Sequence, residues 1–118
     1  MGTRIYKVLT REQWAGVQRG GPVQAPVDER DGYVHFSTEA TLQNTLDKWF
    51  RGEAGAVLLG FDSDDFAASL KWEPARGGEY FPHVYGRVDA ARATEVRELE
   101  VDAEGRLLAG VGPAPLKV

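Results

Sequence analysis

The sequence predicts an α+β fold, because helical patterns occur early in the chain and strand patterns dominate its later part. One helical signal is a capping box, in which Thr10 is followed by Gln13, and the other is an apolar stripe within residues 42–50. The strand signals are runs rich in β-branched and aromatic residues, at 4–9, 33–36, 56–61, 70–74, 81–86 and 94–101. We therefore expect two main helices early in the chain and a mainly antiparallel sheet.

Composition places this chain of 118 residues among single globular domains, with 42% hydrophobic and 27% charged residues. We expect residues 1–102 to form that domain and residues 103–118 to form a C-terminal hairpin or flexible tail. The chain has no cysteine, no opening signal segment and no apolar run of spanning length, so we expect a cytoplasmic protein without a membrane partner. The net charge of −4 argues against a nucleic-acid partner, although scattered arginines leave a local basic surface open. The sequence leaves the oligomeric state open.

The first quarter of the chain reads as a strand, a helix and a loop. Residues 4–9 predict the strand, and the capping box that follows predicts a helix with Trp14 and Val17 on its buried side. The Gly-Gly-Pro segment at 20–22 ends this helix. Residues 22–32 then predict a loop that either covers a site or only connects two elements.

A second helix is predicted to begin at Ser37 or Thr38, either of which would cap it, and to end at Gly52. Its apolar residues fall at i, i+4, i+7 and i+8, which predicts a single buried stripe made of Leu42, Leu46, Trp49 and Phe50. We expect Trp49 to belong to the core rather than to a ligand site.

The later half of the chain reads mainly as strands. Residues 56–61 form a continuous apolar run, which predicts a strand buried on both faces. The acidic residues at 62–65 suit a helix N-terminus better than a calcium loop, because the glycine and the distal glutamate of that loop are missing. The alternation of residues 94–101 shifts at Leu99, which predicts a bulge or an edge, and residues 107–108 are expected to pair back.

Polar side chains gather on the strand predicted within residues 31–38. If this segment is one strand, Val34 and Phe36 face the core while Tyr33, His35 and Ser37 share the opposite face. A phenol, an imidazole and a hydroxyl on one surface fit a ligand site and a half-exposed strand equally well.

A second polar group lies on the strands at 70–74 and 81–86. Lys71 and Glu73 are expected to face outward together as a solvated ion pair, and His83 and Tyr85 share a strand face. The hydroxyls, the imidazoles, the carboxylate and the aromatic ring suit a ribose or nucleotide ligand, and equally another small polar molecule. The residues predicted to line such a cleft are His35, Ser37, Thr38, Glu73, His83 and Tyr85.

Other chemistries fit the residues less well. His35, His83 and Glu73 could form a two-histidine, one-carboxylate metal site, but their spacing matches no helical metal motif. Ser37 and His35 would lie roughly 6–7 Å apart at the backbone, which is awkward for a nucleophile and its base. The glycine pair at 77–78 lacks the lysine and the spacing of a phosphate-binding loop.

Taken together, these segments resemble the bacterial domain of unknown function family numbered 952, over about residues 4–101. The matching segments are Ile5-Tyr6-Lys7-Val8, Asp31-Gly32-Tyr33-Val34-His35-Phe36-Ser37-Thr38, Leu70-Lys71-Trp72-Glu73-Pro74, Arg76-Gly77-Gly78 and Phe81-Pro82-His83-Val84-Tyr85-Gly86. The family itself has no established activity.

The resemblance implies a fold similar to that of the ADP-ribosyltransferases, including the tRNA 2′-phosphotransferases, in which a split sheet binds NAD in a cleft. It implies that Tyr33, His35, Ser37 and Thr38 line the ribose and nicotinamide sites and that Glu73 orients the nucleophile. With the polar cleft added, we expect catalytic roles for His35, Glu73 and His83. We expect ligand-binding roles for Tyr33, Ser37, Thr38, Arg76 and Tyr85.

Three hypotheses follow from the residues and the resemblance. The first is an ADP-ribosyltransferase-like enzyme that acts on NAD or a nucleotide derivative, with NAD as a candidate substrate and no cofactor assigned. The alternative is a non-catalytic module that binds a nucleotide or a small metabolite. The third, a metal-dependent enzyme, ranks below the other two, and we assign no metal ligands.

Overall fold

Two antiparallel sheets, a short hairpin and three short α-helices make up the fold of residues 2–75 and 77–113, which the computed structural model describes. The strands are β1 Arg4–Thr10, β2 Val34–His35, β3 Ser37–Thr38, β4 Ala56–Asp62, β5 Leu70–Pro74, β6 Tyr80–Val84, β7 Glu95–Glu98, β8 Glu100–Val101 and β9 Leu107–Leu108. The helices are α1 Arg11–Gln18, α2 Pro26–Asp31 and α3 Leu42–Trp49, with short 3-10 helices at Ser63–Phe66 and Ala90–Arg92. The predicted α+β class with mainly antiparallel pairing is confirmed.

The first sheet has the strand order β3-β1-β4-β7, and the second has the order β2-β6-β5. In the first sheet, β1 and β4 pair along their whole length, and β4 is buried on both faces as predicted. In the second sheet, His35 lies opposite His83, and Lys71 lies opposite His83 on the other side. This register fixes which polar side chains meet at the surface.

Two hydrophobic clusters lie on opposite faces of the β1–β4 pair, because successive side chains of a strand point to opposite faces. The first cluster packs between the two sheets and against α1; its buried members are Ile5, Leu9, Val17, Val23, Val34, Phe36, Val57, Leu59, Phe61, Phe66, Val84 and Val88. The second is covered by α3 and the β8–β9 hairpin; its buried members are Tyr6, Val8, Leu42, Leu46, Ala56, Leu58, Leu99, Leu107 and Ala109.

The first helix forms as the sequence predicts. Thr10 accepts a hydrogen bond from the backbone N–H of Gln13 at 3.1 Å, and the Gln13 side chain accepts one from the backbone N–H of Thr10 at 2.9 Å. This reciprocal capping satisfies two backbone donors at the start of α1. Val17 is buried, and Trp14 packs against the same cluster.

The predicted loop at residues 22–32 contains a helix, α2, which the prediction missed. Pro26 occupies its first turn, where the missing N–H of proline is tolerated, and Asp28 accepts a hydrogen bond from the backbone N–H of Ala25 at 2.7 Å. Gly32 ends the helix with φ of 84°, a left-handed conformation that favours glycine. The consequence is that Asp28 is placed on an ordered element directly before β2.

The predicted start of the second main helix is wrong. Residues 37–38 are extended because β3 pairs with β1, so α3 begins only at Leu42, after Thr41. Leu42 and Leu46 are buried as predicted, but Trp49 is 72% exposed. Trp49 is the last residue of α3, and the expectation that it belongs to the core is also wrong.

The segment predicted as one continuous strand changes sheets at Phe36. β2 pairs with β6 in the second sheet, whereas β3 pairs with β1 in the first. The backbone N–H of Phe36 still donates to the carbonyl of Pro82 at 3.0 Å. Val34 and Phe36 are buried as predicted, but the change of sheet interrupts the alternation, and Ser37 does not share a surface with His35.

The strand predicted at residues 94–101 divides at Leu99, where the sequence indicates a bulge or an edge. β7 ends at Glu98, Leu99 is buried, and its N–H donates to the carbonyl of Ala56 at 3.0 Å. β8 then leaves the first sheet to pair with β9, and both Leu107 and Ala109 are buried in the second cluster. The domain boundary at residue 102 stays a prediction.

The acidic segment after β4 starts a 3-10 helix, in line with the helix N-terminus predicted there. Asp62 caps it, accepting a hydrogen bond from the backbone N–H of Asp64 at 2.9 Å.

Within residues 2–75 and 77–113, no helix is long and apolar enough to cross a membrane.

Candidate functional site

The two histidines of the chain lie side by side on the second sheet. His35 and His83 are opposite each other in the β2–β6 pair, and their ring centroids are 5.1 Å apart. The ring of Tyr33 contacts both, with centroid distances of 4.6 Å to His35 and 4.4 Å to His83, and lies 4.9 Å from the ring of Tyr85. With Glu73, these four residues form what we call the two-histidine surface.

Glu73 links two members of this surface through one carboxylate oxygen. Its Oε1 lies 2.8 Å from Nδ1 of His83 and accepts a hydrogen bond from the hydroxyl of Tyr85 at 2.7 Å. The bond from Tyr85, followed by that from His83, lowers the pKa of Glu73 below its usual value. The same carboxylate raises the pKa of Tyr85 to about 12. Glu73 is therefore ionised at neutral pH, and Tyr85 is a neutral donor.

The other ring nitrogen of His83, Nε2, has no hydrogen-bond partner among the residues that the structure describes. His83 is only 8% exposed, yet those residues contain no buried side-chain nitrogen or oxygen that lacks a partner. Nε2 of His83 therefore reaches solvent. Because Glu73 holds Nδ1, the ring presents Nε2 at the surface as the atom available to a ligand.

Lys71 stands on the same side of the second sheet, opposite His83 in the β5–β6 register. The structure differs from the solvated Lys71–Glu73 ion pair that the sequence suggests. The ammonium of Lys71 instead lies 4.9 Å from the ring centroid of Tyr85, while Glu73 contacts His83 and Tyr85. A cation over an aromatic face is a weak but favourable arrangement, and it keeps a positive charge beside the two-histidine surface.

Two charged side chains, Lys7 and Asp28, lie buried directly behind His35, with only 6% and 2% of their surfaces exposed. Nζ of Lys7 is 2.6 Å from Oδ2 of Asp28. Burial lowers the pKa of Lys7, against the opposing attraction of Asp28. Burial also acts to raise the pKa of Asp28, but the hydrogen bond from His35 and the contacts with Lys7 outweigh it, so the pKa of Asp28 is lowered.

Both ring nitrogens of His35 face carboxylates. Nδ1 lies 2.6 Å from Oδ1 of buried Asp28, and Nε2 lies 3.2 Å from Oδ2 of the more exposed Asp31. The two histidines thus have different surroundings: His35 is enclosed by acidic groups, whereas His83 keeps one open nitrogen.

Sequence reasoning missed Lys7 and Asp28, although signals for both exist. Lys7 alternates with Ile5 and Leu9 on β1, so a strand buried on both faces points its ammonium into the core. A buried lysine requires a partner of opposite charge. The signal for Asp28 is its place two residues after Pro26, where it reads as the third position of a helix.

Of the remaining predicted ligand-binding residues, Ser37 and Thr38 are placed away from the two-histidine surface. Ser37 is buried, and its hydroxyl is 2.9 Å from that of Thr45 on α3. The hydroxyl of Thr38 is 3.0 Å from that of Thr41. Arg76 lies outside the described residues. The structure therefore brings together Tyr33, His35, Glu73, His83 and Tyr85.

Two surface cavities lie elsewhere on the molecule. One, of about 710 Å³, lies beside α1 and is lined by residues that include Arg11, Arg19 and Pro26. The other, of about 360 Å³, is lined by residues that include Glu95 and Arg97.

Among residues 2–75 and 77–113, no group of three or more histidine and acidic side chains is arranged to hold a metal ion.

Comparison with known proteins gives a family and a set of related structures. The model of the family described as "Protein of unknown function (DUF952)" matches residues 8–96. The crystal structure of protein CC0527 from Caulobacter crescentus is 38% identical, covering 92% of this chain and 96% of that one, with a TM-score of 0.84. The solution NMR structure of the same protein gives a TM-score of 0.76 over 87% and 90% of the two chains. No curated protein matches.

Proposed function

We propose an activity for this chain on the premise that it belongs to the DUF952 family of proteins of unknown function. The proposed activity is that of an ADP-ribosyltransferase-like enzyme, with NAD or a related nucleotide as substrate, working in the cytoplasm. One observation carries the proposal: the rings of His35 and His83 are 5.1 Å apart and both contact Tyr33. The carboxylate of Glu73 lies beside them, 2.8 Å from Nδ1 of His83. The division into two antiparallel sheets is compatible with the split sheet of an ADP-ribosyltransferase-like fold.

Glu73 and His83 have the properties that such a transfer requires. The bond between C1′ of the ribose and the nicotinamide nitrogen breaks, and its electron pair leaves with nicotinamide. An acceptor hydroxyl or amine forms the new bond to C1′, and Nε2 of His83 takes the proton that the acceptor loses. Glu73 is held ionised, so its charge stabilises the positive charge that develops on the ribose.

Substrate recognition in this proposal draws on the groups around that pair. The ammonium of Lys71 supplies a positive charge for a phosphate group, and it lies close to Tyr85. The hydroxyl of Tyr33 has no hydrogen-bond partner among the described residues and can contact a ribose hydroxyl. A nucleotide carries both a phosphate and ribose hydroxyls, and the surface suits it for that reason.

The direct test is incubation of the protein with NAD and candidate acceptors, with nicotinamide release and acceptor modification measured by mass spectrometry. We expect His83→Ala, His35→Ala and Glu73→Gln to lose product formation by at least tenfold, because each removes a group from the two-histidine surface. Trp49→Ala is the matched control, since this exposed side chain belongs to α3 and lies apart from that surface. Equal product formation by wild type, control and all three variants would refute the enzyme proposal.

A second candidate is a binding module that holds a nucleotide without reaction. The observation that favours it is the pairing of both His35 nitrogens with Asp28 and Asp31, which leaves that ring engaged within the protein. A thermal-shift panel of nucleotides separates the two candidates. A ligand at 100 times its dissociation constant should add about 2.7 kcal/mol to the free energy of unfolding. Stabilisation without product formation supports the module, and no shift with any nucleotide removes both candidates.

A further inference from the structure

The carboxylate of Asp28 is saturated by donors from three parts of the chain. Its Oδ2 accepts from the backbone N–H of Ala25 at 2.7 Å and contacts Nζ of Lys7 at 2.6 Å. Its Oδ1 accepts from the backbone N–H of His35 at 3.1 Å and contacts Nδ1 of the same residue at 2.6 Å. One buried carboxylate thus joins β1, α2 and β2.

Lys7 and Asp28 together hold His35 at three atoms. Asp28 binds its backbone N–H and its ring Nδ1, and Nζ of Lys7 donates to its backbone carbonyl oxygen at 2.9 Å. These three contacts matter because β2 is only two residues long, and the chain enters the first sheet at Ser37, two residues after His35. A strand so short has few ladder bonds to fix the position of its side chains.

Stability alone does not account for a charged pair at this place. Apolar residues of similar volume often stabilise a core as well as a buried ion pair does, because burying charge carries a desolvation penalty. A charged pair can also fix the orientation of a neighbouring side chain. A charged acceptor on Nδ1 fixes the orientation of an imidazole ring, and in His35 this orientation sets Nε2 3.2 Å from Oδ2 of Asp31.

We propose that Lys7 and Asp28 are positioning residues for His35, which set its ring orientation and proton placement on the two-histidine surface. Asp28 orients the ring, and Lys7 holds both the carboxylate and the backbone of the residue that carries the ring. The effect of Lys7 and Asp28 on ligand binding rests on the proposed function. The orientation of the His35 ring is a property of the protein itself and can be measured without a ligand.

The test follows the ring protons of the two histidines by nitrogen-edited NMR, which is feasible because the chain has only two. In the wild type, we expect the Nδ1 proton of His35 to resonate far downfield and exchange slowly, as a charge-assisted bond of 2.6 Å to a buried carboxylate requires. In Asp28→Asn, and in Asp28→Asn combined with Lys7→Met, this resonance should move upfield and exchange faster. The His83 ring, held by Glu73, serves as the internal reference.

Gln43→Met is the structural control, because Gln43 is a buried polar residue that bonds the backbone of Leu107 and Ala109 on the opposite face of the first sheet. It should leave the His35 resonance unchanged. The combined variant retains no unpaired buried charge, so it remains measurable if Asp28→Asn alone fails to fold. An unchanged His35 resonance in the folded combined variant would overturn the positioning role.

NAD is the probe for the consequence at the surface. Replacing a residue that hydrogen-bonds a metal-bound histidine changes affinity or activity by about 10- to 100-fold, and we expect a loss of that order in NAD binding or turnover for Asp28→Asn. The two proposals fail separately. If wild type neither binds nor consumes NAD, the proposed function fails while the ring measurement still decides positioning. If the His35 resonance does not respond, positioning fails even for an active enzyme.

Discussion

The two faces of the β1–β4 pair bury their polar groups in different ways. On the face toward the second sheet, Lys7 and Asp28 form a buried ion pair next to His35. On the opposite face, the neutral amide of Gln43 donates to the carbonyl of Leu107 at 2.9 Å and accepts from the N–H of Ala109 at 2.8 Å. Gln43 also donates to Oδ1 of Asp47 at 3.1 Å, so the contrast lies in the buried side chains themselves: among the described residues, the buried charged pair Lys7 and Asp28 lies on the first face.

This difference separates a structural task from an orienting one. An amide is sufficient to fasten a hairpin to a helix, because it supplies donors and an acceptor without the desolvation penalty of a buried ion. A charged pair is warranted where a titratable ring must be held in one orientation. The comparison therefore predicts large, distinguishable responses to substitution on the two faces.

The largest effect is expected on the charged face. Asp28→Ala leaves the ammonium of Lys7 buried without its partner, and breaking a buried ion pair in this way costs about 3–5 kcal/mol in the free energy of unfolding. Urea denaturation measures it. Adding Lys7→Met to this variant should restore part of the loss, because no lone charge then remains. Equal stability of Asp28→Ala and the wild type would contradict the charged character of this face.

On the opposite face, Leu46→Ala should destabilise by about 2–5 kcal/mol, the range for leucine truncation in a packed core. Leu46 is 2% exposed and packs in the cluster under α3. Trp49→Ala on the same helix is the control, and as an exposed site it should change stability by about 0.5 kcal/mol or less. A larger loss for Trp49→Ala would show that the tryptophan is buried in solution.

A comparable effect is expected for Gln43→Met, which keeps the length of the side chain but leaves two backbone groups of the β9 region unpaired. Each buried unsatisfied group costs about 1–3 kcal/mol. Hydrogen exchange should accelerate at Ala109, whose N–H loses its acceptor, while the amide of His35 keeps its protection. Faster exchange at both positions would mean that the two faces are not independent.

The smallest effect concerns the exposed part of the two-histidine surface. Because Glu73 raises the pKa of Tyr85 to about 12, the stabilisation from this contact is complete below pH 10 and is lost as the pH rises through 12. The lowered pKa of Glu73 has the opposite sign, so its contribution is present above pH 4.5 and is lost as acid protonates it.

Glu73→Gln should therefore shift the ionisation of Tyr85 to lower pH, which ultraviolet absorbance of tyrosinate detects. Tyr85→Phe identifies the signal among the four tyrosines of the chain. If Glu73→Gln leaves the titration of Tyr85 where it is in the wild type, the hydrogen bond between them does not form in solution.

Local signals in the sequence were sufficient for most elements. The capping box at Thr10, the apolar run that became β4 and the strand at Leu70–Pro74 all depend on neighbours within a few residues, and each formed where predicted. The start of α3 could not be read in this way. Ser37 and Thr38 are residue types that cap helices, but in the structure they pair with β1 and form the strand β3.

The sequence by itself determined the α+β class, the two polar strand segments and the identity of the aromatic, imidazole and carboxylate groups on them. The tertiary structure alone decided which of these groups meet, because strand pairing sets His35 opposite His83 and the change of sheet at Phe36 removes Ser37 from their surface. It also decided that Lys7 would find Asp28. A buried ammonium requires a partner of opposite charge, which the sequence can indicate. Only the folded structure shows that the partner is the carboxylate of Asp28, on a helix more than twenty residues away.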